Sequence, residues 1–411
     1  MQILSILRYL VLIASLAAIA SCTRTMPPEA GVQPYQSAGR IAVNSYIPQN
    51  PAIEPNDATL RYYFNKYRMD RLADWAVLPS PNPTKLPRDL EDNNYLQSQL
   101  EETAIVSYLY LKDGKVLYDE VSPEDRFGSR MNDSSLLMSH SVAKSWTSYV
   151  LGHAICEGYI EGIDARIDDY PPIEDTLYNN QRVINFLNMR TGDKRYVTFE
   201  SGVKPTGRWY NDHSITDFAN NELKGSQPGA KQMNYHALNP NIILNYVIFK
   251  AGDEAKDFFT KVFQDHVGIG EKLRFNRLHV LHGPLEQGTV RADGHASRYD
   301  FLRIANSMLR DWNENNCVGR YLKEIMERSQ PNSSNPTSHV AWETGGYGGF
   351  FYTDYSGMRG KNIFGMDGYG GQSVLINFDE NRIVSVNAIH TNYDWRELVY
   401  KVIKHGDIQR E

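Results

Sequence analysis

The stretch SHSVAKSWTSYVL, residues 139–151, sets Ser141 and Lys144 three positions apart at the head of an apolar run. Apolar residues at 142, 146, 150, 151, 154 and 155 keep helical spacing, and Gly158 supplies a stop. A helix is therefore predicted over 142–157, with Ser141 at its start. On a helix, positions i and i+3 share a face, so the amine can reach the hydroxyl. The helix start adds free N–H groups and positive potential beside the hydroxyl. An amine held there away from water can serve as the base that activates a nucleophile. The plain alternative is a chance Ser and Lys on the flank of a buried helix.

The spacing alone is weak, since on the order of one or two Ser-x-x-Lys matches arise by chance in a chain of this size. Two occur, SVAK at 141–144 and SGVK at 201–204. Lys204 precedes Pro205, which disfavours helical geometry, and Gly202 lies between the pair. The pair at 141–144 is the candidate and 201–204 the decoy. No Gly-x-Ser-x-Gly elbow occurs, which disfavours an ordinary α/β-hydrolase triad.

With 411 residues, 41% hydrophobic and 22% charged, the chain can bury a substantial core. Its 43 basic and 49 acidic residues are interspersed, so no nucleic-acid partner is expected. Neither a His-Glu-x-x-His nor a Cys-x-x-Cys spacing is present. The reading therefore includes no metal and no cofactor, and none is assigned to His279 and His282 in the strand-like LHVLH.

The first residues, MQILSILRYLVLIASLAAIASC, carry one charge, then an apolar stretch, then small residues. That is the layout of a secretory signal rather than of a membrane span. Its ending, AIASC, resembles the bacterial lipobox, which implies cleavage after residue 21 and lipidation of Cys22. Thr23, rather than Asp, then leans towards the outer membrane. Residues 22–56 are rich in Pro and read as a tether. The catalytic domain is expected over 57–411. Of the remaining cysteines, Cys156 is expected to be a buried free thiol, although an oxidising compartment would allow it to pair with Cys317.

Residues 58–75 read as a helix. AIVSYLYLKDGKVLYDEV, residues 104–121, reads as a hairpin around Asp113-Gly114. Residues 373–378 and 382–389 form a second hairpin, and 394–406 a closing helix. The expected fold class is α/β of the α+β kind. An antiparallel sheet is completed by both ends of the chain and flanked by helices, with a mostly helical subdomain between.

A Ser–Lys pair needs a proton shuttle and donors for an oxyanion. Tyr235 falls in the loop before a helix whose expected N-cap is Asn239, with Pro240 at its first position. Gly368, Tyr369, Gly370, Gly371 and Gln372 lie at a Gly-rich turn entering a strand, where backbone N–H groups could face a developing oxyanion. Each could also be merely structural. Trp209, Tyr210, Asp212 and His213 could line a pocket and are left outside the assignment.

SHSVAKSWTSYVLGHAICEGYIEGIDARIDDYPP resembles the nucleophile helix of the serine β-lactamase-like hydrolases. The branch it is most similar to comprises class C β-lactamases, esterases and 6-aminohexanoate-dimer hydrolases. INFLNMRTG (184–192), PGAKQMNY, GYGGQSVLINFDENRIVSV and the opening hairpin follow in that family's order, over roughly residues 100–400. The resemblance implies a β-lactamase/transpeptidase-like fold with Ser141 as nucleophile and Lys144 and Tyr235 as acid/base groups. Two departures stand out. The family's Tyr-x-Asn is here Tyr235-His236-Ala237, and its Lys-Thr-Gly is replaced by MDGYGGQ. An intact Tyr-x-Asn at 178–180 is expected to be a surface loop.

The sequence thus points to a lipid-anchored, periplasm-facing serine hydrolase of a small-molecule ester or amide, needing no cofactor. A binding lipoprotein that kept the fold without turnover is the second reading, and a penicillin-interacting peptidase or β-lactamase the third.

Overall fold

The computed structural model describes residues 74–127, 131–193, 214–277, 289–332 and 340–410. The expectations for the leader, Cys22, the tether, Ser201, Lys204, residues 209–213, His279 and His282 lie outside them. Among the described residues no helix is long and apolar enough to cross a membrane.

The strands in chain order are β1 (Asp74–Val77), β2 (Ile105–Lys112), β3 (Lys115–Val121), β4 (Leu137–Met138), β5 (Arg166–Ile167), β6 (Gln181–Arg182), β7 (Leu273–Arg277) and β8 (Val290–Ala296). They continue with β9 (Gln330–Pro331), β10 (Thr344–Gly348), β11 (Phe351–Tyr355), β12 (Ile363–Gly368), β13 (Gln372–Asn377) and β14 (Arg382–Ala388). Four helices matter for the site: α1 (Val142–Cys156), α2 (Leu238–Ala251), α3 (Arg298–Glu314) and α4 (Cys317–Glu327).

Asp113 and Gly114 both have positive φ, the backbone a two-residue hairpin turn requires, and they join β2 to β3 in the expected hairpin. The hairpin β13–β14 also forms, and β14 pairs with β2. An eight-stranded antiparallel sheet results, in the order β3-β2-β14-β13-β12-β11-β10-β9, so both ends of the chain complete it. Alternation along β2 sends successive side chains to opposite faces. Ser107 accepts a hydrogen bond from Arg298 on α3, whereas the Tyr108 and Tyr110 hydroxyls donate to the carbonyls of Leu398 and Gly406 in the C-terminal helical segment. Both faces of the sheet are thus covered, and β2 is buried over its first seven residues. The closing helix is built from a π-helical stretch at Arg396–Lys401 followed by Val402–His405, and it stops at Gly406 in the left-handed region.

Helix α1 is buried on every side from Val142 to Ala154, as befits a central helix. It packs on α2, α4 and β8 and reaches the ends of β12 and β13. Trp146 sits edge-on against Phe275 of β7 and Phe301 of α3, tying the helix to both layers.

Two expectations need correction here. Asp74 and Trp75, the end of the expected helix 58–75, lie in a strand. Trp75 and Val77 point inward while Ala76 and Leu78 are exposed, a period of two, and β1 pairs with β7. The mostly helical middle of the chain also contributes β7 and β8, which join β1 and β4 in a second antiparallel sheet of order β1-β7-β8-β4. Cys156 is not a free thiol. It forms a disulfide with Cys317, the first residue of α4, with Cα atoms 5.9 Å apart.

Candidate active site

Ser141 stands immediately before α1, on the residue that caps it, and remains partly exposed while the helix behind it is buried. Lys144, one turn along, is 7% exposed, and its Nζ donates to Ser141 Oγ at 2.6 Å. This is the i,i+3 contact expected from sequence. Among the described residues no carboxylate pairs with the amine. Its other neighbour is the Tyr235 ring, whose centroid lies 5.1 Å from Nζ. His140, the residue before Ser141, has a φ of +46°. A non-glycine residue in that region is uncommon and often marks a functional site. It turns the chain sharply out of the pairing of β4 with β8 and presents Ser141. The Ser141 amide donates to no group among the described residues.

Tyr235 lies in the expected loop before α2, and the segment at 188–193 pins that loop. Asn234 N donates to the Met189 carbonyl at 2.8 Å, Asn234 Nδ2 to the Asp193 carbonyl, and Gly229 N to the Gly192 carbonyl. A Cβ on Gly192, at φ +81°, would stand 2.7 Å from the Gly229 carbonyl oxygen, so only glycine allows this approach. Asn239 is not the N-cap. Helix α2 begins two residues earlier, after Ala237, and Pro240 occupies its third position, where a backbone N–H still has no intrahelical partner. The Asn239 carboxamide faces the pinning segment instead, accepting from the Thr191 hydroxyl and donating to the Met189 sulfur.

The sequence reading missed what holds the Tyr235 ring. Tyr352 stacks on it at 6.4 Å, Tyr347 meets it edge-on at 5.9 Å, and these two meet each other at 5.1 Å. Burial pushes the hydroxyls of both Tyr347 and Tyr352 well above the ordinary phenol range. Tyr235 alone of the three is partly exposed. The signal for the pair was the run GGYGGFFY at 345–352, whose glycines permit the tight turn at Gly349 and Phe350, both at positive φ.

His236 and Ala237 occupy the departing positions. His236 is buried, and burial, aided by Lys144 and opposed by Asp193, lowers its pKa to about 4. Its Nδ1 accepts from the Leu238 amide. The Tyr-x-Asn at 178–180 lies in a turn with Asn180 exposed, as expected, but Tyr178 itself is fully buried and its hydroxyl donates to Asp193 at 2.6 Å.

The Gly-rich turn joins β12 to β13 beside the segment that leads into Ser141. Gly368 is packed against Ser139, and the Tyr369 ring lies 5.7 Å from that of His140. Gly370 and Gly371 both have positive φ. The Gln372 carboxamide is buried and turned inward, donating to the carbonyls of Gly370 and Ala388, so Gln372 can offer a ligand its backbone rather than its side chain.

No family model matches the chain, and no curated protein matches it. Its fold is that of the serine β-lactamase-like proteins. It is similar to a Bacillus anthracis protein assigned as a 6-aminohexanoate-dimer hydrolase, with a TM-score of 0.63 and 12% identity over 92% of this chain and 97% of that one. A protein from Bacteroides dorei assigned as a β-lactamase gives 0.54 at 12% identity, over 76% of this chain and 96% of that one. A penicillin-binding protein from Bacillus halodurans gives 0.53 at 13%, over 74% and 97%. At such identities the likeness is one of fold.

Proposed function

We propose that this chain is a serine hydrolase that cleaves an ester or amide bond through an acyl-enzyme on Ser141. The observation that carries the reading is the 2.6 Å contact between Lys144 Nζ and Ser141 Oγ at a helix start. With the amine neutral, the hydroxyl donates its proton to Nζ as Oγ attacks the carbonyl carbon. The resulting oxyanion is held by the Ser141 amide and by a backbone N–H of the turn Gly368–Gln372. Tyr235, over whose ring the amine sits, passes the proton to the leaving alcohol or amine as the tetrahedral adduct breaks. Water then attacks the acyl group by the reverse proton path, and Ser141 is regenerated. Every step uses groups of the chain itself.

The substrate is a small-molecule ester or amide other than a β-lactam or D-Ala peptide. The cation that would hold such a carboxylate is missing from MDGYGGQ, and its last side chain is turned into the sheet. The leader and Cys22 support a lipid-anchored protein facing the periplasm, with the outer membrane favoured by Thr23.

Turnover of short-chain p-nitrophenyl esters and matching anilides tests the reading. Wild type is expected to release p-nitrophenol with a pre-steady-state burst, and Ser141→Ala to lose it. A folded wild type without turnover or burst would point instead to a cell-envelope binding protein, the reading that Ala237 favours.

A further inference from the structure

Three side chains far apart in sequence, His153, His266 and Asp311, meet away from the Ser–Lys pair. One ring nitrogen of each histidine and one carboxylate oxygen of Asp311 lie within 4.8 Å of one another. We propose that this cluster is a binding site for a divalent first-row transition ion of the Zn2+ type, held by two imidazoles and one carboxylate.

The donor set suits that ion, which takes imidazole and carboxylate ligands and completes its coordination with water. His153 is 8% exposed, and its Nε2 has no hydrogen-bond partner among the described residues. A buried, unsatisfied ring nitrogen costs free energy that a metal bond would recover. His266 Nε2 already touches both Asp311 oxygens, at 2.9 and 3.1 Å. His266 is 31% exposed, so an ion can enter past it. Ligands at about 2.0–2.1 Å from a tetrahedral ion stand roughly 3.3 Å apart, so closure asks for a shift of about an ångström or so. The partly exposed His266 ring can supply it.

The surroundings hold the acid in place. The Tyr149 hydroxyl and the Asn316 carboxamide both donate to Asp311, the outer contacts that orient a metal ligand. A Cβ on Gly319 would stand 1.9 Å from the Asp311 carbonyl oxygen, so the start of α4 closes directly over it. The two nearest cations are engaged elsewhere. Arg310 donates to the His266 carbonyl and the Ser307 hydroxyl, and Lys261 pairs with Glu157. His266 sits on the π-helical stretch Lys261–Val267, a distortion that re-aims side chains and recurs at functional sites. The ion would thus tie α1, that stretch and α3 together next to the Cys156–Cys317 disulfide. His153 lies twelve residues beyond Ser141 on the same helix, about 18 Å along its axis, so the site acts on the fold rather than on the chemistry.

The test is calorimetric titration of the full chain, stripped of metal and returned to chelator-free buffer, with zinc chloride alone, alongside thermal unfolding with and without zinc. Wild type is expected to take up one zinc in this site and to melt at a higher temperature, an effect that EDTA reverses. His153→Phe keeps the ring packing and removes the ligand, and His266→Gln changes the most exposed member. Both are expected to weaken uptake at least ~10-fold, while Ser141→Ala binds as wild type does. No zinc uptake by folded wild type overturns the proposal, and so does unchanged affinity in either folded variant. Should His153→Phe fail to fold, His266→Gln decides.

Discussion

Gly368 is packed so closely against Ser139 that a Cβ at this position would stand 2.6 Å from the Ser139 carbonyl oxygen. The Gly-rich turn and the segment leading into Ser141 are therefore braced against one another through a contact that any side chain would break. Gly368→Ala is expected to lower kcat on a chromogenic ester by about 10²-fold, as sub-ångström misplacement of reacting groups does, while the chain stays folded by circular dichroism. Wild-type turnover in a folded Gly368→Ala would show that the turn takes no part in the chemistry.

Lys144 and Tyr235 should separate kinetically. Lys144→Ala removes the only group that hydrogen-bonds Ser141 Oγ among the described residues and is expected to cost about 10³–10⁴ in kcat/KM. Tyr235→Phe keeps the ring contacts with Tyr347 and Tyr352 and removes only the hydroxyl. Its cost is expected to be about 10²-fold or more, and larger for anilides than for nitrophenyl esters, whose leaving group needs less protonation. Equal losses on the two substrates would take leaving-group protonation away from Tyr235.

The Cys156–Cys317 disulfide closes a loop of 161 residues. Reduction, or the double change of both cysteines to alanine, is expected to lower unfolding stability by about 2–4 kcal/mol in urea. An unchanged urea midpoint after reduction would remove the bridge from the stability of the fold.

His236 carries an acid sensitivity. Its folded pKa of about 4 lies below the ordinary value of 6.5. Between those values the unfolded chain takes up a proton that the folded chain refuses. The stability is therefore fully present above pH 6.5 and declines as pH falls towards 4, by up to about 1.4 kcal/mol per pH unit. His236→Gln should flatten this part of the urea-midpoint profile between pH 7 and 5. A profile as steep as wild type would place the sensitivity elsewhere.

What was legible in the sequence was local. The i,i+3 relation of Ser141 and Lys144, the hairpin turn at Asp113-Gly114 and the loop position of Tyr235 each depend on a few consecutive residues, and each is found where expected. What was not legible depends on partners distant in the chain. Trp75 joins a strand because β7, some two hundred residues on, supplies its edge. Asn239 looks like a helix cap until Thr191 and Met189 claim its carboxamide. Cys156 reads as a buried thiol until α4 brings Cys317 alongside. Tyr347 and Tyr352 carry no pattern of their own, and only the fold brings their rings onto Tyr235.

The most direct measurement is intact-protein mass after treatment with a fluorophosphonate, on wild type, Ser141→Ala and Ser201→Ala. A single adduct on wild type and on Ser201→Ala, absent from Ser141→Ala, is the expected result and identifies Ser141 as an activated nucleophile. No adduct on folded wild type, or an adduct that survives in Ser141→Ala, would contradict it.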